Sequence, residues 1–265
     1  MRPGVRSQES GARRVGKEIR PADIDVVILC GGMGSRLKSV VPDRPKPMAR
    51  IGQRPFLDLL TDRFQQAGFR RFILCVGHMA EQIVSHYRTA HAGIRVVISS
   101  ESVPLGTAGA VKNAEPSIQS DPFLVTNGDS FCPVDLAAFV AFHQARGGIL
   151  SMVVTSSTEA WDCGSVAANS SGRITAFQEK TTTHPGGIIS AGMYLFSKQV
   201  LSLIRPGVKT SLEYDLFPAL VSHPCYAFPV AVPVIDIGTP QRLAHAQIAL
   251  RSPLPTNSQS LKLKT

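Results

Sequence analysis

No apolar run in these 265 residues approaches the ~18–20 needed to cross a bilayer, and the first twenty are basic and polar, with no apolar core for a secretory signal. The five cysteines, Cys30, Cys75, Cys132, Cys163 and Cys225, contain no CxxC pair, and their odd number leaves one unpaired in any disulfide scheme. Reduced thiols in a cytosolic protein fit that usage. The seven histidines show no HxxxH or HExxH spacing, so a zinc site has no ligand pair to stand on. A cytoplasmic protein with no membrane segment and no disulfide framework is the expectation.

The one excess is of positive charge, +9 formally, with 28 Lys and Arg against 19 Asp and Glu. It is concentrated at the ends. Residues 1–20 carry six basic and two acidic side chains, and 251–265 carry three basic and none acidic. The body holds 19 basic and 17 acidic residues, so a nucleic-acid-binding surface is not indicated. Both ends are polar and without hydrophobic period. The reading is of basic tails at 1–24 and 251–265 around a single domain at 25–250.

Within that body, short apolar runs alternate with helical patterns. Val26 to Cys30 is a continuous, β-branched run, as in a strand buried on both faces. Further strands are expected at 71–76, 94–98 and 123–125, with helices at 55–67, 80–90 and 107–115, the last capped by Thr107. This is the rhythm of a mainly parallel sheet with helices on both faces. After about residue 148 it changes. β runs at 150–155, 165–168, 173–178 and 191–196 are followed by helices near 198–204 and 212–221, an apolar run at 232–237, and a helix from about 240. This half reads as α+β and as an extension of the first sheet.

Chemistry concentrates after the first strand. Gly31, Gly32 and Gly34 let backbone approach a phosphate closely. The glycines alone would equally make a tight turn, since the P-loop and Rossmann fingerprints are both incomplete. Arg36 follows directly, and Lys46 stands between Pro45 and Pro47 on a stiffened segment. A fixed lysine and arginine beside a glycine loop suit a triphosphate. Asp129 and Asp236 each end an apolar run, where open α/β sheets bind ligands.

The run VVILCGGMGSRLKSVVPDRPKPMARIGQRPFLDLL at 26–60 resembles the opening of the sugar-1-phosphate nucleotidyltransferases. Further matches follow in order: Glu101 with Pro104–Gly109, Asn127-Gly128-Asp129, Gly164 to Val166, Phe177 to Lys180, Ala191 to Phe196, and Asp236 to Pro240. The resemblance spans about 25–248 and implies an α/β, Rossmann-like, doubly wound, mainly parallel mixed sheet. A nucleotide-binding part at 25–148 and a small β-rich sugar-binding part at 149–250 go with it. It implies transfer of a nucleoside monophosphate from an NTP to a sugar 1-phosphate, with pyrophosphate released and Mg²⁺ as cofactor. Cys30, Gly31, Gly32, Gly34, Ser35, Glu101, Pro104, Gly106, Thr107 and Gly128 would hold the nucleotide. Arg36 would act on the leaving pyrophosphate, Lys46 near the α-phosphate and Lys180 on the sugar phosphate. Gly164, Glu179 and Gly192 would face the sugar, and Asp129 and Asp236 the metal. By the same resemblance Gly106 lets a flat base pack on the backbone, and the helix after it offers N–H donors.

Within the family the stretches PLGTAGAVKNA, SLEYDLFPAL and IDIGTP are most similar to D-glycero-D-manno-heptose 1-phosphate guanylyltransferases, which implies GTP and a heptose or hexose 1-phosphate for surface polysaccharide synthesis. Departures cluster on the sugar side: Cys163 where an aromatic is common, Thr181 after Lys180 in place of proline, and Ser190-Ala191-Gly192 where an asparagine usually leads. Thymidylyl-, uridylyl- or cytidylyltransfer to another hexose 1-phosphate is the rival within the class, and a silent sugar-nucleotide-binding regulator the rival outside it. A dehydrogenase would need an acidic residue at a strand end about 20 positions past the glycines. Asp58 has that spacing but falls inside a helical pattern. The sequence leaves homo-oligomerisation open.

Overall fold

The computed structural model describes residues 18–89, 92–157, 165–178 and 187–250. In chain order the strands are β1 (Asp25–Leu29), β2 (Arg50–Ile51), β3 (Arg54–Pro55), β4 (Arg71–Val76), β5 (Arg95–Ser100), β6 (Phe123–Asn127), β7 (Ser130–Phe131), β8 (Leu150–Ser157), β9 (Ser165–Ala168), β10 (Ile174–Gln178), β11 (Gly187–Phe196), β12 (Cys225–Val230) and β13 (Ile235–Asp236). The α-helices are α1 (Phe56–Gln66), α2 (Ala80–Tyr87), α3 (Gly106–Asn113), α4 (Leu136–Arg146), α5 (Phe217–Leu220) and α6 (Pro240–Ala249).

Among the described residues one nine-stranded sheet runs through the molecule in the order β10-β9-β11-β6-β1-β4-β5, with β8 and β12 continuing beside β11. Strands β6, β1, β4 and β5 are parallel, and β11 turns antiparallel against β6. The second half of the chain therefore does extend the first sheet. From β1 the chain moves to β4 on one side and returns as β6 on the other, so the carboxyl ends of β1 and β6 flank a topological switch point, where such sheets leave a crevice.

Burial explains the continuous apolar runs. Val26 and Ile28 face one core with Phe72, Leu74 and Val76, while Val27 faces the opposite core with Ile73 and Cys75. The first core is covered by α1, α2 and α4, the second by α3 and residues 212–220. Each fully buried Phe, Leu or Ile is worth roughly 1.5–3 kcal/mol over exposure, which is what commits β1 and β4 to the centre. Cys30, Cys75, Cys132 and Cys225 are free thiols, and burial pushes the last three up to about 12, so none is a ready nucleophile.

Four points of the fold differ from the sequence expectations or go beyond them. The ordered body begins before residue 25: Ile24 is fully buried, Ile19 donates its backbone N–H to Gln144, and Pro21–Asp23 form a 3-10 turn. Helix α4 has no clear apolar stripe in the sequence, though Asp135 caps it through Ala138 N–H and Gly147 closes it with φ 61°. Its apolar residues spread over more than one face because Phe142 packs outward on Phe228, which blurs the helical stripe. The third is β12. It carries Pro229 and has β8 as its one strand partner, its other edge meeting the chain only at a bridge between Tyr226 and Arg173 with Ala227 N–H donating to Gly172 O, so it lies at a sheet edge, where proline is tolerated. Lastly, the apolar run at 232–237 holds strand at Ile235–Asp236, ending at the expected aspartate.

His143, in the last turn of α4, is buried with Nδ1 2.8 Å from Ser151 Oγ. Burial lowers its pKa from 6.5 to about 4. Between those values the unfolded chain binds a proton that the folded protein refuses, so stability rises with pH across the window. Acidification from 6.5 to 4 is expected to cost up to about 3 kcal/mol through this residue. Urea unfolding across pH 4–7 measures it. His143→Gln should flatten that part of the profile, and an unchanged slope would remove His143 as its source.

Candidate active site

The crevice beside β1 is walled by a loop that the glycines shape. Leu29 to Met33 line a cleft of about 300 Å³ together with Lys46, Glu101, Pro104, Gly106, Thr107, Asn127, Asp129 and Glu213. Glu101 ties this wall together. Its Oε2 accepts from Leu105 N–H at 3.1 Å, and its Oε1 lies so close to Gly31 and Gly77 that a side-chain carbon on either would stand within 2.9 Å. Three predicted nucleotide residues fall outside this cleft. Gly34 opens the 3-10 turn Ser35–Leu37 with φ 58°, Ser35 is exposed on it, and Gly128 packs against Leu29 O.

A second cleft of about 500 Å³ opens on the other side of Lys46. Its lining includes Arg36, Ser130, Thr155, Ser190, Gly192, Asp236, Arg242 and His245. Lys46, Asn127 and Asp129 line both clefts. At this junction Lys46 Nζ donates to Asp129 Oδ2 at 2.5 Å, and Ser130 Oγ donates to Oδ1 at 3.1 Å.

The two aspartates are brought together by a ladder too short to read locally. Strand β13 pairs antiparallel with β7, setting Asp236 opposite Ser130, and Ile237 N–H donates to Asp129 O at 3.0 Å. Gly238 N–H donates to Asp236 Oδ1 at 2.7 Å. The space a Gly238 side chain would take is bounded by Asp236 Oδ1, Lys46 Nζ at 3.5 Å and Arg36 Nη2 at 3.7 Å. Arg36 is thus turned toward Asp236 and the larger cleft. Arg242 Nη1 stands 3.3 Å from Asp236 Oδ2.

Arg242 and His245 were not anticipated. The available signal was Thr239, whose hydroxyl caps α6 through Arg242 N–H and fixes which face of the helix turns back to Asp236. Gly164, Glu179 and Lys180, the remaining sugar-side expectations, lie outside the described residues, as do Cys163 and Thr181.

The reading of α3 changes. Thr107 is not its cap. Leu105 takes that position, and the Ala108 and Gly109 N–H groups both donate to Thr210 O. Thr107 Oγ1 donates to Glu213 Oε2 at 3.0 Å and accepts from Leu212 N–H at 2.7 Å. Gly106, at φ +72°, has Thr210 O only 2.6 Å from where its Cβ would be. These two helix donors are therefore consumed by the chain at 208–213, and Gly106 serves that docking on its Cβ side as well as lining the cleft.

Among the described residues no group of three His, Cys, Asp or Glu side chains could hold a metal alone. Two adjacent carboxylates, each now balanced by a basic side chain, are a donor set that fits a divalent cation sharing phosphate oxygens and water. No helix among the described residues is long and apolar enough to cross a membrane. Asp58 lies within α1, where its Oδ1 accepts from Tyr87 OH at 2.8 Å and pairs with His86 at 2.8 Å, so it is not a ribose ligand at a strand end.

The family described as Nucleotidyl transferase matches residues 25–252. The D-glycero-alpha-D-manno-heptose 1-phosphate guanylyltransferase of Aneurinibacillus thermoaerophilus is 33% identical over 229 residues, 86% of this chain and 99% of that protein. The mannose-1-phosphate guanylyltransferase of Mycobacterium tuberculosis is 31% identical over 222 residues, 82% of this chain, which spans only 62% of that longer protein. Among solved structures, HddC from Yersinia pseudotuberculosis complexed with GMP-PN superposes with a TM-score of 0.76 at 33% identity, covering 86% of this chain and 100% of that one. A glucose-1-phosphate thymidylyltransferase described as putative, from Bacillus anthracis, has a TM-score of 0.78 at 18% identity over 87% of this chain and 96% of its own, a likeness of fold alone.

Proposed function

The chain belongs to the nucleotidyl transferase family, and on that premise we propose that it transfers GMP from GTP to a heptose 1-phosphate, or to a related hexose 1-phosphate, forming a GDP-sugar. The observation that carries the reading is the meeting of two clefts at Lys46 and Asp129. One is walled by a glycine loop suited to a nucleoside triphosphate, and the other is bounded by polar groups suited to a sugar. GTP is favoured because several relatives are guanylyltransferases and because HddC was crystallised with GMP-PN.

In the reaction an oxygen of the sugar phosphate attacks the α-phosphorus, and the bond from that phosphorus to the β-bridging oxygen breaks, so pyrophosphate departs with its electron pair. Such chemistry asks the protein for alignment and neutralisation of charge, with no covalent intermediate. Lys46 would meet the α-phosphate, and Arg36, Arg242 and Lys180 would offset charge on the acceptor side. Gly164, Glu179 and Gly192 would contact the sugar. Asp129 and Asp236 would hold Mg²⁺, whose contribution when bound is to neutralise phosphate oxygens. Residues 25–250 would act as one catalytic unit, cytoplasmic, either alone or as a homo-oligomer.

The test is to incubate the protein and Mg²⁺ with GTP, ATP, CTP, UTP or dTTP against heptose, mannose and glucose 1-phosphates, and to measure pyrophosphate. Release with GTP and a manno-configured acceptor is expected. Release with dTTP, UTP or CTP alone would move the donor to the rival within the class, and no release from any pair would favour a sugar-nucleotide-binding regulator.

A further inference from the structure

Three residues line both clefts, and two of them, Lys46 and Asp129, already have roles. The third, Asn127, has none. It is the last residue of β6, opposite Leu29 in register with β1, and stands two positions before Asp129, with which it lines both clefts. Among the described residues its carboxamide has no hydrogen-bond partner, although it is half-buried and sits between a glycine loop and a ladder whose other polar groups are paired.

The structure keeps room for that amide at some cost. Strand β11 breaks register between Ser190 and Tyr194, and Gly192 within this bulge takes φ +72°, a conformation that disfavours any residue with a side chain. A carbon added to Gly192 would lie 2.8 Å from Asn127 Nδ2. Ser190 Oγ accepts from Gly192 N–H at 3.1 Å and lies 3.0 Å from Tyr194 OH, which pins the bulge. An unusual backbone is thus held to leave space for a donor that bonds to no described protein group.

We propose that Asn127 is a catalytic residue: its Nδ2 donates a hydrogen bond to a non-bridging oxygen at the centre where the sugar phosphate meets the α-phosphorus. This rests on the guanylyltransfer reading and adds to it. Two phosphates approaching each other repel, and Lys46 is already committed to opposing charge there. A neutral donor steadies an oxygen as charge shifts between the attacking and leaving sides, without over-binding either substrate. Neither Nδ2 hydrogen is transferred, and the amide is unchanged at the end of the cycle.

The experiment compares Asn127→Ala with the unaltered protein in both directions, GDP-sugar synthesis and pyrophosphorolysis, alongside Tm and affinity for a GTP analogue that cannot react at the α-phosphorus. The expected result is a loss in kcat of about 100-fold both ways, the scale for one preorganised donor, with Tm and analogue affinity unchanged. Rates within threefold of the unaltered protein would overturn the proposal, as would a rate loss matched by falls in Tm and affinity. Gly192→Ala gives an independent reading, since its Cβ would displace the amide. With the sugar phosphate saturating, so that a sugar contact of Gly192 is read in KM, it should lower kcat of the unaltered protein but add less than threefold in the Asn127→Ala background, and kcat losses that multiply would also overturn the proposal. Failure of the parent reading is separate: the unaltered protein would then release no pyrophosphate from GTP with any acceptor.

Discussion

Asp129→Asn is expected to lower kcat by about 1000-fold with GTP and the acceptor at saturation, the upper range for losing one preorganised charge-stabilising group. The carboxylate sits at the junction of the two clefts and binds Lys46 directly at 2.5 Å. Removing its charge has two effects on chemistry. It takes away one of two hard oxygen donors for a divalent cation, and it leaves a largely buried ammonium without its counter-ion. The amide is of similar size and can still accept from Ser130, so folding should survive. Activity across a Mg²⁺ titration, with Tm measured beside it, separates the two effects. A rate that recovers at high Mg²⁺ assigns the loss to cation affinity, while one that stays low at all concentrations assigns it to Lys46. Turnover near that of the unaltered protein would take Asp129 out of the site. Asp236→Asn should act in the same direction, weakening the pairing with Arg242.

Gly106→Ala should be the most damaging single methyl in the nucleotide cleft. The added carbon would lie 2.6 Å from Thr210 O and 3.0 Å from Thr210 C, both backbone, at a residue with φ +72°. Overpacking and the left-handed conformation together cost about 2–4 kcal/mol. At roughly 2–4 °C per kcal/mol for a chain of this size, Tm should drop by about 5–15 °C. The relief route is for residues 208–213 to move off α3, which would expose the Ala108 and Gly109 N–H groups and free Glu213 from Thr107. The KM for GTP should therefore rise more than the KM for the sugar phosphate. Equal changes in both would mean that the segment does not belong to the nucleotide side.

How far the sequence carried depended on the range over which each feature is determined. Strands β1 and β4 were legible because burial on both faces demands unbroken apolar runs, and α1 because Phe56, Leu60 and Phe64 form one buried stripe. The glycine loop, Lys46 and the two aspartates were legible as residue types at strand ends. The β7–β13 ladder was not, since a two-residue strand has no period and exists only through a partner more than a hundred residues away. The same reason hid the docking of Thr210 on α3. Thr107 after a loop has the chemistry of a cap, and only the tertiary contact shows that a distant carbonyl serves the helix instead. Arg242 carried no motif of its own, and Asn127 stood in the Asn127-Gly128-Asp129 motif without a role; both became visible through what surrounds them.

The β7–β13 ladder makes the active centre depend on both halves of the chain. The chain up to Asp129 holds the glycine loop, Lys46 and one carboxylate; the second is supplied by residues 235–237, more than a hundred positions on and beyond β8 to β12. Turnover therefore reports on the closure of the molecule as a whole. A chain released or cleaved before residue 235 would keep much of the nucleotide cleft and so could sequester nucleotide without consuming it.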